Sequence, residues 1–408
     1  MKTIFLLSLI FMGIYSYSQH WTFLGFPDEK IHTIAVHPQN PNIIFVSGDN
    51  LYKSSDGGIN WDTVSLYSFN SITFHPIPDT MYATLGEGSY SDGIYKSIDG
   101  GNYWNILEWL YLSTSLTIPG YPQGTLVAGT KGMGVYESSD YGDTWTTIND
   151  SLDNLNVLSL THINPFDCDS GQVYFAGTEG GIFYYNYDLH EYWNNTNTAT
   201  NITIPAISSD GDGTGYSLWA AIDGGSWSDG MYKSTDYGLT WIVSEYWPFI
   251  TDILINPLNP NTVYAADSGY GVKKTINGGI SWQVINTGLG DSVVYCLAQS
   301  PADTMHLYAG TEHGLYVYDF SVGINKKNIK QDMNITIFPN PANDKITIKS
   351  YFYKITKVDI VNIEGKLLQN FILKTSETSI NIDNLERGVY FLKIYTEKEV
   401  ITNKLIKK

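Results

Sequence analysis

The chain has 408 residues, of which 14% are aromatic and only 16% charged, and it contains 38 glycines. Aromatic side chains suit pleated, half-buried surfaces and glycine supplies tight turns, so this composition favours an all-β fold. Residues 20–323 carry seven lysines, no arginine and 32 acidic residues, a formal charge of −25 that repels phosphate backbones and excludes nucleic acid as a partner.

The first 18 residues are predicted to be a signal peptide. Lys2 supplies the positive start, and an apolar run follows from Ile4 to Tyr15, too short to span a bilayer. Ser16 and Ser18 are the small residues that a signal peptidase reads, so cleavage after Ser18 would leave Gln19 as the new N-terminus. We expect no transmembrane span elsewhere.

A repeated motif follows the leader. Five segments share the pattern Ser-x-Asp-x-Gly-x-x-Trp, the last with Thr and Asn in its first two places. They are LYKSSDGGINW (51–61), IYKSIDGGNYW (94–104), VYESSDYGDTW (135–145), MYKSTDYGLTW (231–241) and VKKTINGGISW (272–282). A degenerate copy, IFYYNYDLHEYW (182–193), fills the long gap, and a last unit starts at GLYVYDF (314–320). Seven units spaced by roughly 40–50 residues are typical of propeller blades.

The motif has a structural explanation. Ser and Asp side chains accept hydrogen bonds from backbone N–H groups in a sharp turn between two strands, and the glycine takes a positive φ. We expect the Trp on the outer strand, packed over its hairpin. The Asp residues of the motif are therefore predicted to be structural rather than catalytic.

This motif resembles the Asp-box, or BNR repeat, of sialidases and related β-propellers. The resemblance implies a seven-bladed β-propeller over residues 19–323, with the boxes on the outer edge, away from the ligand. Sialidases clamp the substrate carboxylate with three arginines, and residues 20–323 contain none, so a sialidase mechanism is excluded. The blades are also similar to those of xyloglucan-cleaving glycosidases, the sortilin ectodomain and photosystem assembly propellers.

The mature N-terminus is predicted to close the ring. The last unit stops before a Trp-bearing strand, and HWTFLGF (20–26) is similar to NWDTVSL, TWTTIND and SWQVINT in other units. Residues 20–26 are therefore expected to form the outer strand of the last blade, which removes an exposed sheet edge.

Two units carry an enlarged loop before the box, GEGSYSDG (86–93) and DGGSWSDG (223–230). Such loops lie on the ligand face of propellers. Each offers an aromatic ring and acids, which suit stacking on a sugar and bonding to its hydroxyls. The predicted ligand-binding residues are Tyr90, Trp227, Glu87 and Asp223, and the candidate acids for glycosidic cleavage are Glu87, Asp92, Asp223 and Asp229. Solvated acids in a Gly/Ser loop are the simpler interpretation.

Other polar residues point more weakly to function. Asp210 and Asp212 in a DGDGTG segment resemble part of a calcium loop, but the segment lacks the later bidentate Glu of such loops, and a plain polar turn is the preferred interpretation. His37 and His75 precede Pro where other units have Asn or Ser, so they are predicted to be turn residues. The two cysteines, Cys168 and Cys296, are expected to be separate thiols. No metal or cofactor is predicted.

The C-terminal region changes sign, because residues 324–408 carry a formal charge of +6. Residues 324–333 are predicted to be a polar linker, and 334–408 contain short alternating segments typical of an immunoglobulin-like β-sandwich. The cues Pro339-Asn340-Pro341, Leu385–Tyr390 and a basic end resemble the type A sorting domain of the Bacteroidota type IX secretion system. That resemblance implies the secretion machinery as a partner, with release or outer-membrane surface attachment.

Three functions remain open from the sequence. We prefer a secreted or surface-attached, non-catalytic propeller that binds glycan or protein on its ring face. A xyloglucanase-type polysaccharide hydrolase and a structural or adhesion scaffold are the alternatives.

Overall fold

The computed structural model describes residues 20–86, 90–119, 123–163, 173–186, 192–196, 203–209, 217–223, 229–320, 335–350, 354–362, 366–396 and 400–408. The chain forms two compact units, Met1–Val322 and Gly323–Lys408. Every regular element among the described residues is a β-strand, which confirms the predicted all-β fold.

In the described residues of the first unit, 28 strands form seven four-stranded antiparallel sheets. Sheets one to three contain β2 (Thr33–Val36), β3 (Ile44–Ser47), β4 (Leu51–Ser54), β5 (Asp62–Ser65); β6 (Ser71–Phe74), β7 (Met81–Leu85), β8 (Gly93–Ser97), β9 (Asn105–Glu108); and β10 (Ser113–Thr117), β11 (Leu126–Thr130), β12 (Gly134–Ser138), β13 (Thr146–Thr147). Sheets four and five contain β14 (Val157–Ile163), β15 (Val173–Thr178), β16 (Gly181–Asn186), β17 (Trp193–Asn195); and β18 (Thr203–Ser209), β19 (Leu218–Asp223), β20 (Gly230–Ser234), β21 (Ile242–Glu245). Sheets six and seven contain β22 (Ile250–Ile255), β23 (Val263–Asp267), β24 (Gly271–Thr275), β25 (Gln283–Val284); and β26 (Val294–Ser300), β27 (Asp303–Thr311), β28 (Gly314–Asp319), β1 (Trp21–Gly25).

Sheet seven takes its outer strand from the N-terminus. β1 pairs antiparallel with β28, and Trp21 lies opposite Tyr318. The two rings meet edge to face with their centres 5.3 Å apart, and Phe23 and Tyr316 meet in the same way. The first strand of the described residues therefore completes the last sheet of the first unit.

The seven sheets form a closed ring. The first strand of each sheet contacts the first strand of the next, and β26 of sheet seven contacts β2 of sheet one. Thr33 Oγ1 donates to the Asn70 carbonyl of sheet two at 3.0 Å. Across the closure, Ser300 Oγ donates to the His37 carbonyl at 2.9 Å. Each apolar sheet face is thus buried against a neighbour, which is how such repeats become stable.

One hydrogen-bond pattern closes the third-to-fourth strand turn in five sheets. In sheet one, the Ser54 hydroxyl donates to Asp56 at 2.9 Å and accepts from the Gly58 N–H at 2.8 Å. Asp56 also accepts from the Asn60 N–H at 2.9 Å. The same first two bonds are made by Ser97, Ser138, Ser234 and Thr275. The motif glycines have φ between 81° and 91°, as predicted.

The Trp of each motif lies one residue before the fourth strand rather than on it, which corrects the sequence-based placement. In sheets two, three and five, the indole N–H donates to the carbonyl of the glycine three residues earlier, at 3.0–3.1 Å. This bond ties the ring to its own turn before the strand begins.

Lysines on the third strands link neighbouring sheets. Lys53 Nζ donates to the Gly100 carbonyl in the turn of sheet two at 2.8 Å, and it lies 5.7 Å from the ring centre of Phe45 in its own sheet. Lys96 and Lys233 donate to the turn of the following sheet in the same way. These ammonium groups therefore link each of these three sheets to the turn of the following sheet.

The second unit contains a three-stranded sheet in the order β29-β30-β33 and a four-stranded sheet in the order β32-β31-β34-β35. Their bounds are β29 (Ile335–Phe338), β30 (Lys345–Ser350), β31 (Ile355–Val361), β32 (Leu367–Thr375), β33 (Glu377–Asn381), β34 (Gly388–Thr396) and β35 (Val400–Lys407). Both sheets contribute to one apolar core, which includes Ile346, Ile348, Val358, Ile360 and Leu392.

Candidate functional site

Antiparallel strand order sorts the loops of the first unit onto two faces, because consecutive strands run in opposite directions. The first-to-second and third-to-fourth strand turns lie on one face, the turn face. The second-to-third turns and the connections between sheets lie on the other, the connection face. The described loops of the connection face are 26–32, 48–50, 66–70, 86, 90–92, 109–112, 131–133, 148–156, 179–180, 196, 229, 246–249, 268–270, 285–293 and 312–313. All five Ser/Thr motifs lie on the turn face.

The aspartates of the repeated motif, on the turn face, are occupied by their own turns. Asp140 accepts from the Thr144 hydroxyl at 2.6 Å and from the Thr144 N–H at 2.8 Å. These bonds lower the pKa of Asp140 to about 2, because they stabilise the charged carboxylate. The Asn60 N–H likewise lowers the pKa of Asp56. Both groups therefore close turns and are poor proton donors.

The two histidines before proline are turn residues, as predicted. His37 Nδ1 accepts from the N–H groups of Gln39 and Asn40, both at 3.1 Å, and His75 Nδ1 accepts from Ile77 N–H at 3.0 Å. Asn and Ser side chains make comparable bonds at the same position in sheets six and seven. This shared acceptor role explains why the three residue types exchange.

Exposed aromatic rings are concentrated on the connection face. Among the described residues of the unit it carries Tyr67, Tyr90, Trp109, Tyr111, Tyr246, Phe249 and Tyr270, against Tyr103, Tyr192 and Tyr237 on the turn face. Burying these rings would be favourable, so the connection face is the candidate binding surface.

The residues predicted from the enlarged loops separate into different roles. Tyr90 is fully exposed. Asp92 is only 3% exposed and accepts from the Leu112 N–H at 3.1 Å, so it anchors the following connection. Asp223 ends β19 opposite Thr203, and Asp229 lies directly before β20; both are partly buried. The remaining predicted residues, Glu87, Trp227, Asp210 and Asp212, lie outside the described residues.

Sequence reasoning missed a pair of matching connections. Glu108–Leu112 follows sheet two and Glu245–Phe249 follows sheet five, the two sheets with enlarged loops. Trp109, the second residue of the first connection, is 65% exposed, and Tyr246, the second residue of the other connection, is 67% exposed. The third residue of each connection, Leu110 or Trp247, is buried. The last residue has a positive φ, 54° in Leu112 and 63° in Phe249. The signal was available, because EWLYL and EYWPF stand at the same distance after Gly93 and Gly230.

Both lysines in the described loops of the connection face are engaged. Lys131 Nζ lies 3.9 Å from a Glu179 carboxylate oxygen. Lys30 Nζ lies 3.9 Å from the centre of the Tyr295 ring, a cation–π contact. The face therefore presents little positive charge to a ligand.

A polar cluster lies between sheets six, seven and one. His313 Nδ1 pairs with Asp291 Oδ2 at 2.8 Å, and this hydrogen bond raises the pKa of His313. Next to it, the Tyr295 hydroxyl donates to Glu312 at 2.5 Å. The cluster brings an imidazole with a raised pKa to the connection face.

A half-buried carboxylate, Asp252, joins the innermost strands of sheets six and seven. Asp252 accepts from its neighbour Ile253 N–H at 2.8 Å and from Leu297 N–H at 2.7 Å. Burial raises the pKa of Asp252 to about 6. Burial also raises the pKa of the neighbouring Cys296, a free thiol, so it is inert. Cys168 lies outside the described residues.

A metal-binding cluster and a membrane-spanning helix are both absent from the described residues. In the described ranges, no three His, Cys, Asp or Glu side chains are grouped so that they could hold a metal ion. No helix in that part of the chain is long and apolar enough to cross a membrane.

Residues 336–408 match the family model of the secretion system C-terminal sorting domain. This match supports the assignment of the tail as a type IX sorting domain, and it indicates export to the cell surface or medium. No curated protein sequence matches the chain.

Several solved structures share the fold at low sequence identity. YCF48 from Cyanidioschyzon merolae is 15% identical with a TM-score of 0.54, covering 74% of this chain and 98% of that one. The GH74 xyloglucanase from Xanthomonas campestris is 13% identical with a TM-score of 0.57, covering 76% and 55%. The extracellular domain of the hybrid two-component system BT4673 from B. thetaiotaomicron is 12% identical with a TM-score of 0.60, covering 82% and 46%. These likenesses support a propeller-like fold and carry no activity across.

Proposed function

We propose that this chain is an exported, non-catalytic binding protein whose connection face meets a glycan or protein ligand. In this proposal residues 1–18 are a signal peptide, and 19–323 form a seven-bladed Asp-box β-propeller in which each sheet is one blade. Residues 324–333 are a linker, and 334–408 form an immunoglobulin-like sandwich recognised by the type IX secretion machinery.

One observation carries the binding role, namely the concentration of exposed aromatic rings on the connection face. Flat rings beside carboxylates can stack on the CH face of a sugar and leave its hydroxyls to polar neighbours. We include Tyr90, Trp227, Glu87 and Asp223 in the ligand surface on the basis of their sequence positions in the two enlarged loops.

The surroundings of the acids favour binding over hydrolysis. Glycoside hydrolysis needs two carboxyl groups facing one another across the substrate. Asp92 is buried and bonded to the Leu112 N–H, which suits an anchor better than a proton donor. The motif aspartates Asp56 and Asp140 are occupied by their turns. These contacts support a non-catalytic surface.

A glycan array probed with the mature chain, residues 19–408, tests this function. We expect retention of at least one polysaccharide, a loss of about tenfold or more in affinity in Tyr90→Ala, and no release of reducing sugar. Tyr103→Ala on the turn face, also an exposed tyrosine, is the matched control. Equal loss in both variants, or reducing-sugar release by the purified chain, would contradict the proposal.

Export is tested separately by deletion of residues 336–408. The truncated chain should accumulate in the periplasm instead of reaching the surface or medium. Unchanged secretion would show that the tail is dispensable.

A further inference from the structure

Two regions of the connection face each carry three exposed aromatic rings, and Trp109 and Tyr246 occupy equivalent positions in them. Patch one is Tyr90, Trp109 and Tyr111, and patch two is Tyr246, Phe249 and Tyr270. They lie at the junctions that follow sheets two and five, three positions apart in the ring of seven.

A shared backbone arrangement shapes the two patches. A Cβ atom on Gly93 would lie 2.4 Å from the Glu108 carbonyl oxygen, and one on Gly230 would lie 2.3 Å from the Glu245 carbonyl oxygen. Only glycine tolerates such an approach, so the third strand and the following connection are in close contact at both places. In sheets three and six the side chains of asparagines fill this space instead, whereas in sheet seven a Cβ atom on Gly314 would lie 2.6 Å from the Gly25 carbonyl oxygen, so three sheets share the close backbone approach.

Each patch is held rigidly. Leu112 and Phe249 both have positive φ, which is unusual for a bulky residue and persists only where the surroundings fix it. The Leu112 carbonyl accepts from Lys131 N–H and the Phe249 carbonyl from Ser268 N–H, each at 3.0 Å. A rigid aromatic surface binds with little loss of side-chain entropy, so these connections are preorganised.

The charge around the patches selects against anions. The unit carries a formal charge of −25, and Lys30 and Lys131 are engaged with Tyr295 and Glu179. A uronate- or sulfate-bearing polymer would meet repulsion, because both lysines of this face are engaged and the imidazole of His313 is paired with Asp291. Exposed rings in an acidic, arginine-free setting suit a neutral sugar.

The separation of the patches argues for an extended ligand. Between them, the connection 148–156 carries two aspartates and three asparagines. A protein partner would need a continuous, complementary area of about 1,000 Å² or more, whereas a linear polymer can contact two separate surfaces. Two aromatic surfaces with one equivalent ring, Trp109 and Tyr246, also match a ligand that repeats.

We propose that patches one and two bind two segments of a single linear, neutral polysaccharide. The proposal rests on the binding function above and adds both the ligand class and the number of sites. Engagement of both patches makes the second contact intramolecular, so the polymer binds much more tightly than a short fragment of it.

The test uses the mature full chain with soluble xyloglucan, galactomannan, mixed-linkage β-glucan and starch, and with polygalacturonate as the anionic probe. Titration calorimetry with a short oligosaccharide of the retained polymer should give a stoichiometry of about two, falling to about one in Trp109→Ala and in Tyr246→Ala. Affinity for the polymer should fall by about 10²-fold in either variant and be lost in the double variant. Tyr103→Ala should behave as the unsubstituted chain.

The possible failures are distinguishable. Neutral-polymer binding at a stoichiometry of about one, or single variants that bind polymer normally, would overturn the two-patch inference and leave the binding function intact. Preference for polygalacturonate would overturn the neutral-ligand assignment. Retention of a protein but of no polysaccharide would also overturn the inference. Absence of any ligand would overturn both proposals.

Discussion

Replacement of Trp21 tests whether the N-terminal strand holds the ring closed. The indole is 2% exposed, its N–H donates to the Ile285 carbonyl at 2.6 Å, and the Trp21 backbone N–H donates to the Thr287 carbonyl at 2.8 Å. Truncation of a buried Trp costs roughly 3–5 kcal/mol, and the lost indole bond is part of that cost. We expect Trp21→Ala to lower the free energy of unfolding by about 4 kcal/mol.

Urea denaturation followed by far-UV circular dichroism measures this effect without relying on Trp fluorescence. With a slope of about 3 kcal/mol/M, the midpoint should fall by about 1.3 M. Trp21→Phe keeps the contact with Tyr318 but not the hydrogen bond, and it should cost about 1–2 kcal/mol. Phe23, on the same strand, is 45% exposed, so Phe23→Ala should cost about 1 kcal/mol or less.

The ranking of these three variants is the decisive result. If Trp21→Ala destabilises the chain no more than Phe23→Ala, the N-terminal strand does not anchor sheet seven through its buried ring. A Trp21→Phe variant as damaged as Trp21→Ala would move the explanation from packing to the indole bond.

Three further predictions concern polar contacts. Lys53→Met should lower the free energy of unfolding by about 1–2 kcal/mol in urea, because the Gly100 carbonyl loses a charged donor. The pKa of Asp252 is raised to about 6. The stabilisation that the protonated carboxyl contributes is therefore fully present below pH 3.8, its unfolded pKa, and is lost as pH rises through about 6. Asp252→Asn should remove this decrease of the urea midpoint with rising pH between 3.8 and about 6. Asp291→Asn should lower the raised pKa of His313, measured by NMR titration of the imidazole.

Each of these has a matched control. Lys53→Arg keeps a charged donor and should recover most of the stability lost in Lys53→Met. Asp49→Asn, at an exposed turn, should leave the pH dependence unchanged, and an equal change in slope there would refute the assignment to Asp252. An unchanged His313 titration in Asp291→Asn would show that another group sets its pKa.

Sequence reasoning was strongest where the chain repeats itself. The Ser-x-Asp-x-Gly motif fixes a turn through contacts within five residues, so its hydrogen bonds and positive φ could be predicted from local chemistry alone. The similarity between HWTFLGF and the outer segments of other units predicted a partner for the last unit, and the structure pairs Trp21 with Tyr318. Repetition supplied the long-range information that a single segment lacks.

Residues outside the repeat were harder to predict. The Gly/Ser residues around Asp92 favoured an exposed acid, but the structure buries its side chain. The reason is that the connection after sheet two returns over the loop and donates the Leu112 N–H to Asp92. Trp109 and Tyr246 were overlooked because they lie in connections, where no motif directs attention. The lysine links between sheets could not be predicted, since they depend on which turn lies next to each third strand.

The use of the lysines explains the character of the connection face. Lys53, Lys96 and Lys233 donate to turns of neighbouring sheets, so these charges stabilise the ring and do not reach a ligand. Lys30 and Lys131, the two lysines in the described loops of the connection face, contact Tyr295 and Glu179. The acidic residues of this face therefore outweigh its lysines. An acidic surface of this kind repels anionic partners over about a Debye length, and rigid aromatic rings are then its main attractive feature. Ligand selection at this face should therefore depend on stacking and shape, and binding should be weakly dependent on salt.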